Sequence, residues 1–443
     1  MAACSSDSLQ SSISNMPTPS LLLVPARFKT GRLYSQIPTN TDNRGDFTVT
    51  RNTEARRFDS AGLVASVASG IPRLDYYTSG GVTGCPALLV EPAATNLALQ
   101  SENFLTTWAP SNIAVTTGST AAFTAPDGTT NADLLTATTS GNARINQSFT
   151  FVSGTTYSYS AFAKAGSGFF GLTMENGGVL SGSAVVWNLN TGALAVSGVV
   201  GAGYTLQSQG IENYGNGWYR CRMTVLLGLG AAGNIRANTS NGTMTSAVIQ
   251  SASGNTAYVW GAQLETGSVA TSYIPTTTGT GSRSADVVSV SGAVSGSIGQ
   301  TEGTIYAEVD VRTFTSSAAR RIVNLRVDGS NLLSLQINEA STNIEFVAAS
   351  GITSVTAFAS GLTAGIYKIA VGYNSAASGT VLYVNGTLRD TKTIAIPNLS
   401  AAVFGLGIRG DGSAGTQLND RIRAVALYTT RLTNDELQSL TTP

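Results

Sequence analysis

Short apolar runs alternate with polar residues along most of the chain with a period of two, which predicts strands rather than amphipathic helices. Between residues 149 and 264 five segments carry this period most clearly: Phe149–Val152, Tyr157–Lys164, Ala184–Leu189, Trp218–Val225 and Ala257–Leu264. Gly, Ser, Asn or Thr turns separate them, as in a sandwich whose sheets each keep one wet face. A second block starts near residue 301, where Thr304–Val311 alternates cleanly. Farther on, Asn385-Gly386 stands between the apolar residues of Tyr383–Leu388 and predicts a tight hairpin, because both turn positions need positive φ. One helix is expected, opened by the capping-box pattern Thr433-Asn-Asp-Glu436 and leading into Leu437 and Leu440.

These elements predict an all-β protein with an N-terminal arm and a β-rich adapter followed by two jelly-roll β-sandwich domains. The arm covers 1–25, where Pro17, Pro19 and Pro25 prevent a continuous helix and the residues read as flexible or docking. The β-rich adapter covers 26–98, with Phe47–Arg51 strand-like and Gly62, Gly70, Gly80, Gly81 and Gly84 as punctuation. The first sandwich covers 99–275. Residues 276–300 read as a linker with one short strand at Asp286–Val290, and the second sandwich covers 301–443.

Composition narrows the function. Over 443 residues, 25 Lys+Arg balance 25 Asp+Glu, and charged residues are only 11 %. Nucleic-acid binding is disfavoured, since neutralising phosphates needs a basic surplus. Gly, Ser and Thr make up 155 residues, or 35 %, which argues against helical bundles and coiled coils. Apolar residues at 42 % and a mean hydropathy of +0.11 supply enough surface to bury and argue against disorder. Histidine is absent, which excludes a Ser-His-Asp triad and a His-ligated zinc site. Cys4, Cys85 and Cys221 are too few and too scattered for a disulfide framework. The first basic residue is Arg27, and no apolar run approaches the ~18 residues of a membrane span. A soluble product made in a cytoplasm, with no membrane insertion, is expected. Of 25 basic residues 21 are arginine, seven of them before residue 74, which suits bidentate pairing at protein contacts.

Several motifs carry a resemblance. Ile71-Pro-Arg-Leu-Asp-Tyr-Tyr77, Gly84-Cys-Pro-Ala-Leu-Leu-Val-Glu91, Thr95-Asn-Leu97 and Glu102-Asn-Phe104 with Trp108 form one series. Asn216-Gly-Trp-Tyr-Arg220, Trp260-Gly-Ala-Gln-Leu-Glu265, Thr271-Ser-Tyr-Ile-Pro-Thr276 and Arg283-Ser-Ala-Asp286 form another. Together they resemble a widespread class of tailed-bacteriophage virion structural proteins of the tail-fibre or appendage kind. The middle block is similar to carbohydrate-binding-module jelly rolls. The last, with Gly303-Thr-Ile-Tyr306 and Ile422–Tyr428, resembles a laminin-G or concanavalin-like jelly roll. The resemblance spans about residues 45–443 and leaves the arm unmatched. It implies a virion component, assembled in the host cytoplasm, that docks to other virion proteins by its N-terminal region. It also implies a homotrimer and lectin-like sandwiches displayed toward host surface glycans for host attachment.

Candidate chemistry is sparse. Trp108, Trp218 and Trp260 fall inside the motifs and are expected in the core, as large aromatics usually are. Trp187 is the one candidate carbohydrate-binding residue, although it too lies in a strand. Gly228-Leu-Gly-Ala-Ala-Gly233 has the letters of a dinucleotide fingerprint, but Asn234–Gly242 is a poor helix, so a loop is expected there. Arg-Gly-Asp at 44–46 and 409–411 reads as turn chemistry. Glu308 and Asp310 are the best local acid pair, and an exposed, solvated edge is expected for them rather than a catalytic dyad. A structural calcium ion is compatible with jelly rolls of both kinds, and Asp328-Gly-Ser and Asp411-Gly-Ser, with Asp420, are oxygen-rich loops, but they lack a dense Asp-x-Asp spacing and assign no ligands. No catalytic residue, cofactor or other metal is expected, and the protein is read as not an enzyme. The two rival readings are a capsid decoration or head-fibre protein and a tailspike glycan depolymerase. The second would normally carry a regular β-helix repeat, which is not found.

Overall fold

A computed structural model describes residues 16–37, 45–79, 82–83, 85–176, 182–228, 230–290, 295–312, 319–338, 342–413 and 415–443. Among these the protein is all-β, built from antiparallel sheets with one short α-helix. Residues 1–15 of the expected arm and Arg44 of the first Arg-Gly-Asp lie outside the described residues.

The first sandwich packs two six-stranded sheets face to face. One sheet runs in the order Ala109–Ser111, Arg144–Phe151, Ala231–Ser240, Phe169–Asn176, Gly182–Asn188 and Ala193–Val200. The other runs Ile113–Thr117, Asp133–Ala137, Thr256–Thr266, Thr155–Ala165, Trp218–Leu227 and Tyr204–Asn213. Between them Leu135, Ile145, Tyr159, Leu172, Trp187, Met223 and Leu264 form one continuous core. The expected loop after Gly228 is largely a strand, Ala231–Ser240. Its Ile235 and Ala237 point into the core, and pairing on both edges overrides the weak propensity of its Asn, Thr and Gly residues.

The second sandwich is assembled from both sides of the first in sequence. Its central strand Glu302–Val311 pairs with Gly365–Asn374 and with Asp420–Tyr428. The other edge of Asp420–Tyr428 takes Leu21–Leu23 and Ala87–Val90. The facing nine-stranded sheet joins Phe47–Thr50 to Val287–Val290, then continues through Val403–Leu406 and Arg320–Arg326 to Thr353–Ala359. Leu21, Leu23, Phe47, Val49, Leu88 and Val288 share one core with Ile305, Leu335 and Phe404.

The first sandwich is therefore inserted into the second. Residues 26–98, expected as an adapter, and 276–300, expected as a linker, supply strands of the second sandwich. They also supply the ribbon that leads into and out of the first, Ala94–Asn96 paired with Gly281–Arg283. Leu21–Leu23 of the expected arm is fully engaged in a sheet. A hairpin, Ala55–Phe58 with Val64–Val67, bridges the two bodies: Val64 packs with Ala132, Trp218 and Trp260, and Phe58 meets the Tyr214 ring edge-on at 5.1 Å.

The local signals at the far end hold. Asn385 and Gly386 have φ of 48° and 74°, closing the hairpin of Thr380–Val384 and Thr387–Lys392. The helix Asn434–Thr441 starts with a complete capping box between Thr433 and Glu436. It lays Leu437 and Leu440 against Tyr306, Tyr383 and Tyr428 on the outer face of the sheet.

Candidate functional site

The motif residues meet at the junction of the two sandwiches. Arg73 stands at the centre, donating to Glu91 at 2.6 Å and also bonding Asp286, with all three side chains essentially buried. Asp286 also accepts from Arg51 at 3.1 Å and from the Glu91 amide at 2.9 Å. Glu91 takes Arg283 at 2.9 Å, and the amide and hydroxyl of Ser272 at 2.8 and 2.7 Å. Arg312 extends the chain of charges from Glu91 to Asp420, which Arg320 also reaches. Burial alone would raise the Glu91 carboxyl, but Arg73, Arg283 and Arg312 hold it well below the usual range.

Neutral groups complete this suture. The Asn96 amide donates to the carbonyls of Ala262 and Ile274 and accepts from the amides of Ala98 and Leu264, so all four bonds tie residues 94–98 to 262–274 or to each other. Glu265 accepts from Gln263 and from the Thr271 amide and hydroxyl. Tyr273 donates to Glu102. Motifs nearly two hundred residues apart thus form one buried, polar knot.

Beside the knot lies a cleft of about 370 Å³ between the sandwiches, lined by Tyr77, Glu212, Tyr214, Arg222, Asp310, Arg312 and Arg421 among others. Arg421 joins Asp75 at 2.6 Å to Asp310 at 3.1 Å and stacks over the Tyr77 ring at 4.2 Å. Glu212 pairs with Arg222 at 3.2 Å. Burial opposes its ionisation, yet Arg222, Arg312 and Arg421 draw its carboxyl down to about 2. Burial raises Asp310, and Arg421 only partly offsets it. Two carboxyls displaced in opposite directions are a feature of acid–base sites, but here each is engaged by a guanidinium, which fits an ion-pair suture.

The sequence-predicted residues fall elsewhere. Trp187 is fully buried in the first core, because its position on Gly182–Asn188 faces the opposite sheet; a buried indole has no face for a sugar ring. Trp108 and Trp218 are also buried and donate their indole N–H to the Leu99 and Thr124 carbonyls, at 3.1 and 2.9 Å. Trp260 is buried against Phe162 and Tyr273. Glu308 and Asp310 do not lie on an exposed edge. Their strand is central, Glu308 is buried and paired with Arg423 at 2.7 Å, and Asp310 is held by Arg421.

The calcium candidates fit that ion poorly. Asp420 is buried between Arg312 and Arg320, Asp411 pairs with Arg326 and Arg409, and Asp328 caps its own turn through the Ser330 amide. Among the described residues no three acidic or thiol side chains converge as a metal site would require. In the second Arg-Gly-Asp the arginine and aspartate bond each other at 2.6 Å, ahead of a turn at Gly412.

A second concavity, about 430 Å³, lies on the nine-stranded sheet and is lined by Arg321, Arg326 and Arg409 among others. Sequence reasoning passed over these arginines. A bulge between Arg321 and Val323 breaks the period of two, and Arg409 arrives from a distant loop. No sequence signal joins them.

No protein-family model matches the chain, and no curated protein matches it. Among solved structures, the Ruminococcus gnavus IT-sialidase CBM40 bound to alpha2,6 sialyllactose is 18 % identical, covering 32 % of this chain and 84 % of that one, with a TM-score of 0.28. Domain 4 of AbnA, a GH43 extracellular arabinanase from Geobacillus stearothermophilus, in complex with arabinotriose, is 14 % identical over 39 % of this chain and 82 % of that one, at 0.30. The binding domain of Botulinum Neurotoxin DC in complex with SialylT is 14 % identical over 35 % and 39 %, at 0.29. Likeness at this level carries no functional inference.

Proposed function

We propose that the protein is a non-enzymatic structural component of a tailed-phage virion, a tail fibre or appendage that holds two β-sandwiches in fixed relation for adhesion to host surface glycans. The observation that supports this most directly is the convergence of the motifs. Arg73, Asp75, Glu91, Asn96, Gln263, Glu265, Arg283 and Asp286 carry the sequence resemblance, and they build or adjoin a single buried junction. The residues on which the resemblance rests are thus the ones that lock one sandwich into the other, which suits a display scaffold. The chain works as a homotrimer docked to other virion proteins, in particles assembled in the host cytoplasm.

Mass spectrometry of purified virions tests the reading, together with light scattering on the isolated protein. The expected outcome is a chain present at a few to a few tens of copies per particle and trimeric in solution. Hundreds of copies would assign it to the head lattice. A monomer absent from purified particles would overturn the proposal.

A further inference from the structure

The three arginines on the nine-stranded sheet differ from those of the junction. In the junction each guanidinium meets a carboxylate, whereas in the groove, lined by Arg321, Arg326 and Arg409 with no acidic residue among its lining side chains, Arg326 and Arg409 share the single carboxylate of Asp411 and Arg321 pairs with a neutral amide. The two carboxylates nearest in charge are already committed. Asp411 Oδ2 serves both Arg326, at 3.2 Å, and Arg409, at 2.6 Å. The Glu345 oxygens take the side-chain amides of Gln336 and Asn338, at 3.0 and 2.8 Å. Among the described residues the Arg321 guanidinium donates to the neutral Gln336 Oε1, at 2.5 Å. The Nε–H groups of Arg321 and Arg409 have no acceptor among the described residues. Burial lowers the Arg321 pKa, and repulsion from Arg409 and Arg326 adds to it, against the weaker pull of Glu345 and Asp411.

The backbone is shaped to gather this charge. Arg321 and Arg326 are five residues apart and would face opposite sides of a regular strand. The bulge between Arg321 and Val323 adds one residue and returns both to the outer face. Arg321 then stands opposite Gln336, and Arg326 opposite Leu332, which continues through Ala349 to the exposed Ser354. The loop bearing Arg409 is fastened to that face by the Gly410 amide, which donates to Asn324 at 2.9 Å. Gly410 lies so close to the sheet that a Cβ there would meet the Val403 carbonyl at 2.7 Å.

We propose that this groove binds an anionic saccharide, with its carboxylate or phosphate seated on Arg321, Arg326 and Arg409 and its hydroxyls met by the exposed Ser330, Thr353 and Ser354. A planar guanidinium pairs with either anion through two parallel hydrogen bonds. The exposed hydroxyl groups of Ser330, Thr353 and Ser354 around it suit a sugar rather than an apolar ligand. The inference rests on the adhesion reading above and names the glycan chemistry that it would use.

Calorimetric titration of the full chain tests it with a galacturonic acid trimer, glucose 6-phosphate and uncharged maltotriose. One of the two anions is expected to bind saturably and more weakly as salt rises; the tighter of them identifies a carboxylate or a phosphate as the natural group. Arg321→Gln is expected to weaken that binding roughly tenfold or more, and Arg321→Lys to recover part of it. Ser354→Glu, which leaves the arginines in place and sets a like charge at the mouth, is expected to weaken it as well, and its thermal melt separates lost binding from lost folding. No saturation by either anion up to ~10 mM, or binding by Arg321→Gln and Ser354→Glu equal to that of the parent protein, overturns the proposal. Binding of maltotriose alone overturns the anion site but leaves the adhesion reading standing; absence of the chain from purified virions does the reverse.

Discussion

Arg73 and Glu91 meet at 2.6 Å with neither side chain exposed, and each bonds a second partner from the segment that follows the inserted sandwich: Asp286 for the arginine, Arg283 for the carboxylate. The strands leading into the insertion are thereby clamped to those leading out. Such a pair is costly to break from one side, because the remaining charge stays buried.

Glu91→Gln is accordingly expected to destabilise the protein by about 3–5 kcal/mol, since Arg73, Arg283 and Arg312 lose their shared carboxylate. Denaturant unfolding measures it, and limited proteolysis near residues 91–96 and 281–286 should speed up. A loss below ~1 kcal/mol, the range of an exposed pair, would show that the junction is not held by this charge.

Asn96→Asp provides a sharper test of the neutral half of the knot. The two carbonyls that now accept from the Asn96 amide would face a carboxylate oxygen instead. The variant is expected to lose more stability than Asn96→Ala at neutral pH and to recover part of the difference as pH falls toward ~4, because the buried acid takes up its proton at a higher pH than the unfolded chain does. Equal losses at both pH values would overturn this.

Asp133 carries a pH signature of opposite sign to an ion pair. Burial pushes its carboxyl up to about 6, against the pull of the Phe104 amide, which donates to it at 2.8 Å. The unfolded chain releases this proton near pH ~3.9. The folded state therefore binds more protons between the two values, and this group's contribution to stability falls as pH rises from about 4 to about 6, by up to ~3 kcal/mol. Asp133→Asn should raise the melting temperature at pH 8 and leave it nearly unchanged at pH 4. The same gain at both would show that the carboxyl titrates normally.

Trp187 supports the core and not the ligand. Trp187→Ala should cost about 3–5 kcal/mol, whereas Trp187→Phe should cost much less, since the indole N–H has no acceptor among the described residues. Saccharide titrations of Trp187→Phe should match the parent protein. A weakened affinity would return this residue to candidacy.

Local chemistry was legible in the sequence where neighbours decide it. Asn385-Gly386 and the Thr433 capping box need only a few adjacent residues, and both signals hold. Alternation was enough for an all-β fold, and the usual burial of large aromatics for placing Trp218 and Trp260 inside. It could not show that Phe47–Thr50 pairs with Val287–Val290, because nothing in either segment names a partner more than two hundred residues away. Glu308 and Asp310 were misplaced for the same reason: an acid looks solvated until the strand beside it supplies Arg421 and Arg423. The groove was hidden more deeply, since its arginines share a face only through a bulge and a returning loop.

The pairing of Leu21–Leu23 with Asp420–Tyr428 bears on the order in which the chain can fold during synthesis. Ser20 and Leu427, joined through backbone and hydroxyl, are 407 residues apart. The inserted sandwich closes entirely on strands between 109 and 266 and can form while the ribosome is still translating. The host sandwich must wait, with Leu21, Leu22 and Leu23 exposed, until Asp420–Tyr428 has emerged. Translation at ~5–20 residues per second makes that interval tens of seconds. Over that time the early strands carry unpaired edges open to pairing with another nascent chain.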